Sequence, residues 1–175
     1  GQYLSTLKLS NKKLWLIFLP FLIFNLYFGG KHIVDKDKWQ YLFGKITKDE
    51  FLERKCPDYK SIKFINENTP KTAKIFYLFS GQRTYYLERD FIYDSFNDGR
   101  LFKRIFDGSK NEDEFREKFK EYGITHLFIR KDLFEQFLAD NFSSEGLDIL
   151  NKFFEKYAKL LFQDGVFLVV EIKDK

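Results

Sequence analysis

The sequence predicts an α/β layered domain with a mostly parallel sheet and a C-terminal β-hairpin, preceded by one transmembrane helix. Three observations predict it. Residues 14–30 carry no charge. Two short runs rich in β-formers, 73–79 and 124–129, alternate with helical patterns, as strands do in layered α/β domains. The chain then closes on 160–162, Gln163-Asp164-Gly165 and 166–172, where Asp-Gly between apolar runs marks a tight hairpin turn. The expected organisation is a flank over 1–13, a transmembrane helix over 14–30 and a soluble α/β domain over 31–175.

The apolar segment reads LWLIFLPFLIFNLYFGG, with Lys12 and Lys13 before it and Lys31 after it. Its length sits at the lower limit for crossing a bilayer, about 17 residues. Trp15 and Tyr27 lie near its two ends, where interfacial aromatics belong. A signal peptide is the first rival, but Tyr27-Phe28-Gly29-Gly30 is a poor small-x-small cleavage site. A buried core helix is the second, yet the segment has no polar face to present to water. Pro20 and Asn25 fit a helix that packs against other helices, so a polytopic parent is expected. Lys counts on the two sides nearly tie and leave the orientation open.

Past the segment, 38–43 is a short amphipathic stretch ended by Gly44. Thr47-Lys48-Asp49-Glu50 is a capping box, which opens a helix to about Lys55. Pro57 fits the first turn of the next helix, where Tyr59, Ile62, Phe64 and Ile65 share one face. Residues 66–70 close it as a turn. The run 73–79 is broken only by Lys74, the pattern of a doubly covered strand. Ser80-Gly81 ends it, 83–89 reads as one helical turn, and 91–93 as a second short strand. Gly99 precedes a helix face of Leu101, Phe102, Ile105 and Phe106. Asn111 to Glu114 opens a helix with acids where the macrodipole favours them, and Gly123 caps its end. After strand 124–129, helices are expected over about 132–142 and 144–157.

Composition narrows the function. The chain has 175 residues, 23 Phe, 10 Tyr and 2 Trp, enough aromatic bulk for a proper core. It has no Met and begins at Gly1, so a processed product or a piece of a longer chain is expected. Net charge is +4, of which Lys8, Lys12 and Lys13 supply +3 before residue 31. The remainder is nearly neutral, which argues against binding nucleic acid. Cys56 is the one cysteine, so an intrachain disulfide is impossible and a Cys-based zinc site has no ligands.

No catalytic constellation stands out. The chain lacks a phosphate-cradling glycine loop, a dinucleotide fingerprint and a nucleophile elbow. His32 and His126 are isolated, and clustered ligands are what a metal site needs. The acids at 49–50, 112–114, Asp132 and Glu135 fall at helix starts or on polar faces, where capping accounts for them. No cofactor is implied. The segment with binding character is Tyr85-Tyr86-Leu87-Glu88-Arg89-Asp90. Tyr85, Tyr86 and Arg89 could stack on and hydrogen-bond a sugar or a headgroup near a strand end. The competing reading packs both rings under the sheet and pairs Arg89 with Asp90 or Glu88.

These features together follow a known pattern. A last membrane helix is followed by W-x-Y-L-x-G-K-I-[ST]-x-[DE]-[DE]-F, here Trp39, Tyr41, Leu42, Gly44, Lys45, Ile46, Thr47, Asp49, Glu50 and Phe51. Then come the Asn-rich turn ending in Pro70, the strand 73–79, Tyr85-Tyr86-Leu87-x-Arg89, Tyr122-Gly123-Ile124-Thr125-His126-Leu127 and the closing hairpin. The chain resembles, over nearly all of 14–175, the C-terminal extramembrane domain of bacterial polytopic glycosyltransferases. These are relatives of the protein O-mannosyltransferases and the aminoarabinose transferases. The resemblance implies a polyprenyl-phosphate-linked sugar donor, a cytoplasmic flank over 1–13, and a periplasmic module on the inner membrane beside upstream helices of the parent chain. It transfers no catalytic residue, because the family's acids lie in an earlier extracytoplasmic loop that no position here matches. The alternative is a membrane-anchored α/β binding or scaffold module without enzymatic activity.

Overall fold

The computed structural model describes residues 11–33, 35–81, 83–93 and 98–173. The chain divides into two compact units, Gly1–Lys55 and Cys56–Lys175.

The first unit is helical. Helix α1 spans Asn11–Ile33, with Pro20 inside it. Asn25 satisfies its amide within this helix, donating to the Phe21 carbonyl at 2.7 Å. The expected membrane segment thus lies within one continuous helix. Among the described residues, however, no helix is long and apolar enough to cross a membrane. Most of the N-terminal flank, residues 1–10, and the His32 side chain lie outside what is described. Helix α2, Lys36–Leu42, starts at Asp35, whose carboxylate accepts from the Asp37 N–H at 3.1 Å. Helix α3, Lys48–Lys55, is opened by the capping box read from the sequence. Thr47 N donates to Glu50 Oε2 at 2.7 Å, and Glu50 N donates to Thr47 Oγ1 at 3.2 Å. Arg54 and Lys55 then pair with Asp37 and Asp35, each at 2.9 Å, tying α3 to α2.

The second unit holds the sheet. Its elements are α4 (Tyr59–Asn68), β1 (Lys74–Leu78), β2 (Asp90–Tyr93), α5 (Arg100–Phe106) and α6 (Glu112–Glu121). They continue with β3 (His126–Arg130), α7 (Lys131–Asn141), α8 (Ser144–Tyr157), β4 (Ala158–Asp164) and β5 (Phe167–Ile172). The strand order is β2-β1-β3-β5-β4. β1 runs parallel to both β2 and β3, while β5 is antiparallel to both β3 and β4. The expectation of a mostly parallel sheet is therefore corrected to a mixed one. The hairpin forms one edge of the sheet, as expected, with β5 against β3 and β4 outermost. A two-residue turn makes β4 and β5 antiparallel, and β5 carries that polarity against β3.

Period-two alternation sends side chains to opposite faces. Phe76 and Leu78 join Leu127, Ile129 and Val170 under α5, α6, α7 and α8, in a core rich in Phe102, Phe115, Phe119 and Phe153. Ile75 and Tyr77 face the other way, with Phe128, Val169 and Phe167, under Ile62 and Ile65 of α4. Both faces are covered, which is why 73–79 reads as an almost unbroken apolar run.

The stretch 83–89 is not helical, contrary to the expectation. It is an extended connection with one tight turn, closed by Leu87 N donating to Thr84 O at 3.0 Å. Topology dictates this. Parallel β1 and β2 pair Lys74 with Asp90, so the chain leaving Leu78 must travel back along the strand to begin β2. A crossover this short has room only for extended chain. It leaves β1 through Phe79 and Gly81, both left-handed, with φ of 59° and 82°. It then returns over the α4 face, where Tyr86 and Leu87 pack against the core.

Candidate functional site

The crossover and the start of α4 enclose a cavity of about 410 Å³. That is within the size range of small-molecule sites, roughly 300–1,000 Å³. Its walls are mainly aromatic, from Tyr59, Tyr85 and Tyr86, with Ile62 and Cys56 completing the apolar part. Tyr86 meets Tyr59 edge-to-face at 5.5 Å and Tyr85 edge-to-face at 5.1 Å. Tyr85 is 89% exposed. So much uncovered aromatic surface at a cavity mouth is the costly arrangement, since rings gain most when buried.

The polar groups of the cavity are Asp58, Arg83 and Thr84. Asp58 is 1% exposed, and neither carboxylate oxygen has a hydrogen-bond partner. It holds the N-cap position of α4, where an Asp normally accepts from the first helical N–H groups, yet its side chain makes no such bond. Burial raises its pKa above the ordinary carboxylate range, its own backbone N–H and the Arg83 charge only partly opposing that. Arg83 Nη1 lies 3.4 Å from Asp58 Oδ1, an ion pair without hydrogen-bond geometry on a guanidinium that is half exposed. Close by, Ser61 Oγ and Tyr77 Oη are also buried and unpartnered. Burial, with a further push from Asp58, raises the Tyr77 pKa, so the phenol stays protonated.

The loop bearing the two tyrosines is held by Asn66 and Arg89. Asn66 Nδ2 donates to Tyr86 O at 2.7 Å, and Asn66 Oδ1 accepts from Glu88 N at 2.9 Å. Arg89, 9% exposed, donates to the carbonyls of Glu88 at 3.0 Å, Asn66 at 2.5 Å and Thr69 at 2.9 Å. Two of those carbonyls end α4, where a guanidinium also meets the negative end of the helix dipole.

Of the three residues singled out from sequence, the structure thus brings Tyr85 and Tyr86 to one cavity. Arg89 instead faces the backbone beneath the loop, bonding the main-chain carbonyl of Glu88 and neither of the carboxylates considered for it. Asp58, Arg83 and Asn66 were missed. Pro57 was expected in the first turn of the helix, but the helix starts at Tyr59 with Asp58 at its N-cap position, and nothing in the sequence shows that Asp58 does not cap. Asn66 reads as a turn residue. The one legible hint was a short, polar-aromatic connection between two parallel strands.

His126 is buried at 4% exposure, with Nδ1 2.8 Å from Thr125 Oγ1. Burial lowers its pKa, opposed by Glu171. It lies outside the cavity walls. A second cavity of about 190 Å³ is lined by Arg116, Lys120 and Lys173. Its one buried cation, Arg116, already bonds the Lys173 carbonyl at 3.2 Å and Glu117 at 2.6 Å. Among the described residues there is no group of three or more His, Cys, Asp or Glu that could hold a metal ion.

No protein-family model matches the chain, and no curated protein matches it. Among solved structures, the chain is similar to the C-terminal globular domain of an oligosaccharyltransferase from Archaeoglobus fulgidus. The two are 16% identical, and the match covers 73% of this chain and 99% of that one, with a TM-score of 0.43. At that score and identity the likeness is a description and assigns no function.

Proposed function

We propose that the chain is the non-catalytic extracytoplasmic domain of a membrane glycosyltransferase that uses a polyprenyl-phosphate-linked sugar. The observation that carries the reading is the Tyr59–Tyr85–Tyr86 cavity, an aromatic pocket of ligand size with an exposed ring at its mouth. Its aromatic faces suit the apolar faces of a sugar ring, and its few polar groups suit hydroxyls. The family-like pattern of Trp39 to Phe51, Asn66 to Pro70 and Tyr122 to Leu127 supports the same reading. In it, Tyr85 and Tyr86 touch the glycosyl unit, and Arg89 acts by holding the loop that carries them.

Helix α1 is the proposed membrane seat, with the second unit on the periplasmic side of a bacterial inner membrane. Trp15, Phe18, Phe21, Ile23, Phe24, Leu26 and Tyr27 are all more than half exposed along it. The partners proposed are the membrane, further helices of the parent enzyme and the lipid-linked sugar.

The test is binding in lipid nanodiscs of a polyprenyl-phosphate-linked hexose, with bare polyprenyl phosphate as the comparison. Tighter retention of the glycosylated lipid, with no sugar transfer by this chain alone, is the expected result. Equal retention of both lipids would leave the aromatic cavity without its role.

A further inference from the structure

We infer that Asp58 and Arg83 form a hydroxyl-reading bracket, and that the cavity takes an uncharged glycosyl unit rather than a cationic or phosphorylated group. The inference rests on the sugar-binding reading above and adds to it the charge class of the ligand and the residues that select it.

The argument is one of donors and acceptors. Asp58 is buried, sits in the cavity wall and has no hydrogen bond to either carboxylate oxygen, its one charge partner being Arg83. Leaving a carboxylate so is expensive, and a cap bond to the first turn of α4 would relieve it. The side chain makes no cap bond. As an ionised group it only accepts, so it calls for a ligand that donates. Arg83, with Nη1 3.4 Å away, only donates, so it calls for a ligand that accepts. A group meeting both within one small space must do both, and a hydroxyl does.

The charged alternatives fit worse. An ammonium has donors only, and would meet Arg83 as a like charge beside the acid it seeks. A phosphate would bring its negative charge against a carboxylate that burial already disfavours. A neutral polyol disturbs neither charge. Thr84, also in the cavity wall, carries a hydroxyl able both to donate and to accept. Tyr59, Tyr85 and Tyr86 supply the apolar walls. Adjacent hydroxyls on a small ring, with apolar faces between, match this whole set.

The test is ligand-observed NMR on the full chain in detergent micelles, with a panel of methyl hexosides. Methylammonium and inorganic phosphate serve as ionic probes. The expected result is saturation transfer to at least one hexoside, weakened about tenfold or more by Asp58→Asn and by Tyr85→Ala, with neither ion competing. Tyr85 is exposed, so its variant keeps the fold, and circular dichroism verifies both. Binding of no hexoside, equal binding to D58N, or competition by either ion would overturn the inference. The two proposals separate cleanly. Hexosides that bind through Asp58, without preference for the lipid-linked sugar, would sustain the bracket and sink the membrane-enzyme reading. Glycosylated lipid retained equally by D58N would do the reverse.

Discussion

Arg89 closes on Asn66 at 2.5 Å, Nη2 donating to the helix-ending carbonyl, while the Asn66 side chain holds Tyr86 and Glu88 of the same loop. One helix end and one crossover are thereby fastened together, and the aromatic cavity lies between the loop and the helix start. Lysine cannot replace this arginine, since a single ammonium cannot span three carbonyls in the geometry of a planar fork. Arg89→Lys is expected to cost about 2 kcal/mol, the range for hydrogen bonds to a charged donor. Urea melts of the two proteins check it, and an unchanged midpoint would show that the fastening is dispensable.

A second prediction concerns Gly99. Its φ is 77°, and a Cβ there would lie 2.6 Å from the Phe137 ring and 2.8 Å from the Phe79 ring. Both rings belong to a packed aromatic group, with Phe79 and Phe137 centroids 5.2 Å apart. Gly99→Ala therefore meets backbone strain and overpacking together, and about 3 kcal/mol of destabilisation is expected. Thermal melting by circular dichroism measures it. A loss under 1 kcal/mol would mean that the rings shift aside at little cost.

Asp58 gives a pH prediction. Its folded pKa is raised, so between the ordinary carboxylate range and that raised value the folded chain holds the proton more tightly than the unfolded one. Stability contributed by this group therefore falls as pH rises through that window. Above that window the ionised buried carboxylate is a cost, and Asp58→Asn removes it. The variant should be more stable than wild type at pH 7 by about 1 kcal/mol. The difference should shrink as pH falls. A D58N protein less stable at pH 7 would show that the carboxylate is held by something stronger than Arg83.

His126 has the opposite sign. Burial depresses its pKa, so the unfolded chain takes up a proton near pH 6.5 that the folded chain resists. Stability is whole above that range and is lost as pH falls through it. His126→Gln should flatten the slope of unfolding free energy as pH falls below about 6.5. Denaturant melts at half-unit steps test this. A slope identical to wild type would place the acid sensitivity elsewhere.

Much of the fold was legible. The capping box at Thr47 and Glu50, the Asn111 start of α6 and the Asp164-Gly165 hairpin are local signals whose hydrogen bonds close within a few residues. The runs over 73–79 and 124–129 were legible because both faces of those strands are covered. What was not legible is long-range. Insertion of β5 against β3 depends on where the hairpin docks, and the pairing of Leu127 with Val170 leaves no trace in either segment. The loop 83–89 looked helical because Tyr, Leu, Glu and Arg are tolerated in helices. Its extended form follows from the register of β1 with β2, which local sequence does not carry. The cavity was half legible for the same reason. The exposed aromatics announced themselves, whereas Asp58 declares its role only by the cap bond it does not make.

The most direct measurement is photocrosslinking with a polyprenyl-phosphate-linked sugar whose photoreactive group sits on the sugar ring, followed by peptide mapping of the adducts. Adducts on Tyr59, Tyr85 or Tyr86, suppressed by excess unlabelled glycolipid but not by bare polyprenyl phosphate, are the expected result. Adducts confined to α1, or spread over the surface and indifferent to the competitor, would contradict a sugar-binding role for the cavity.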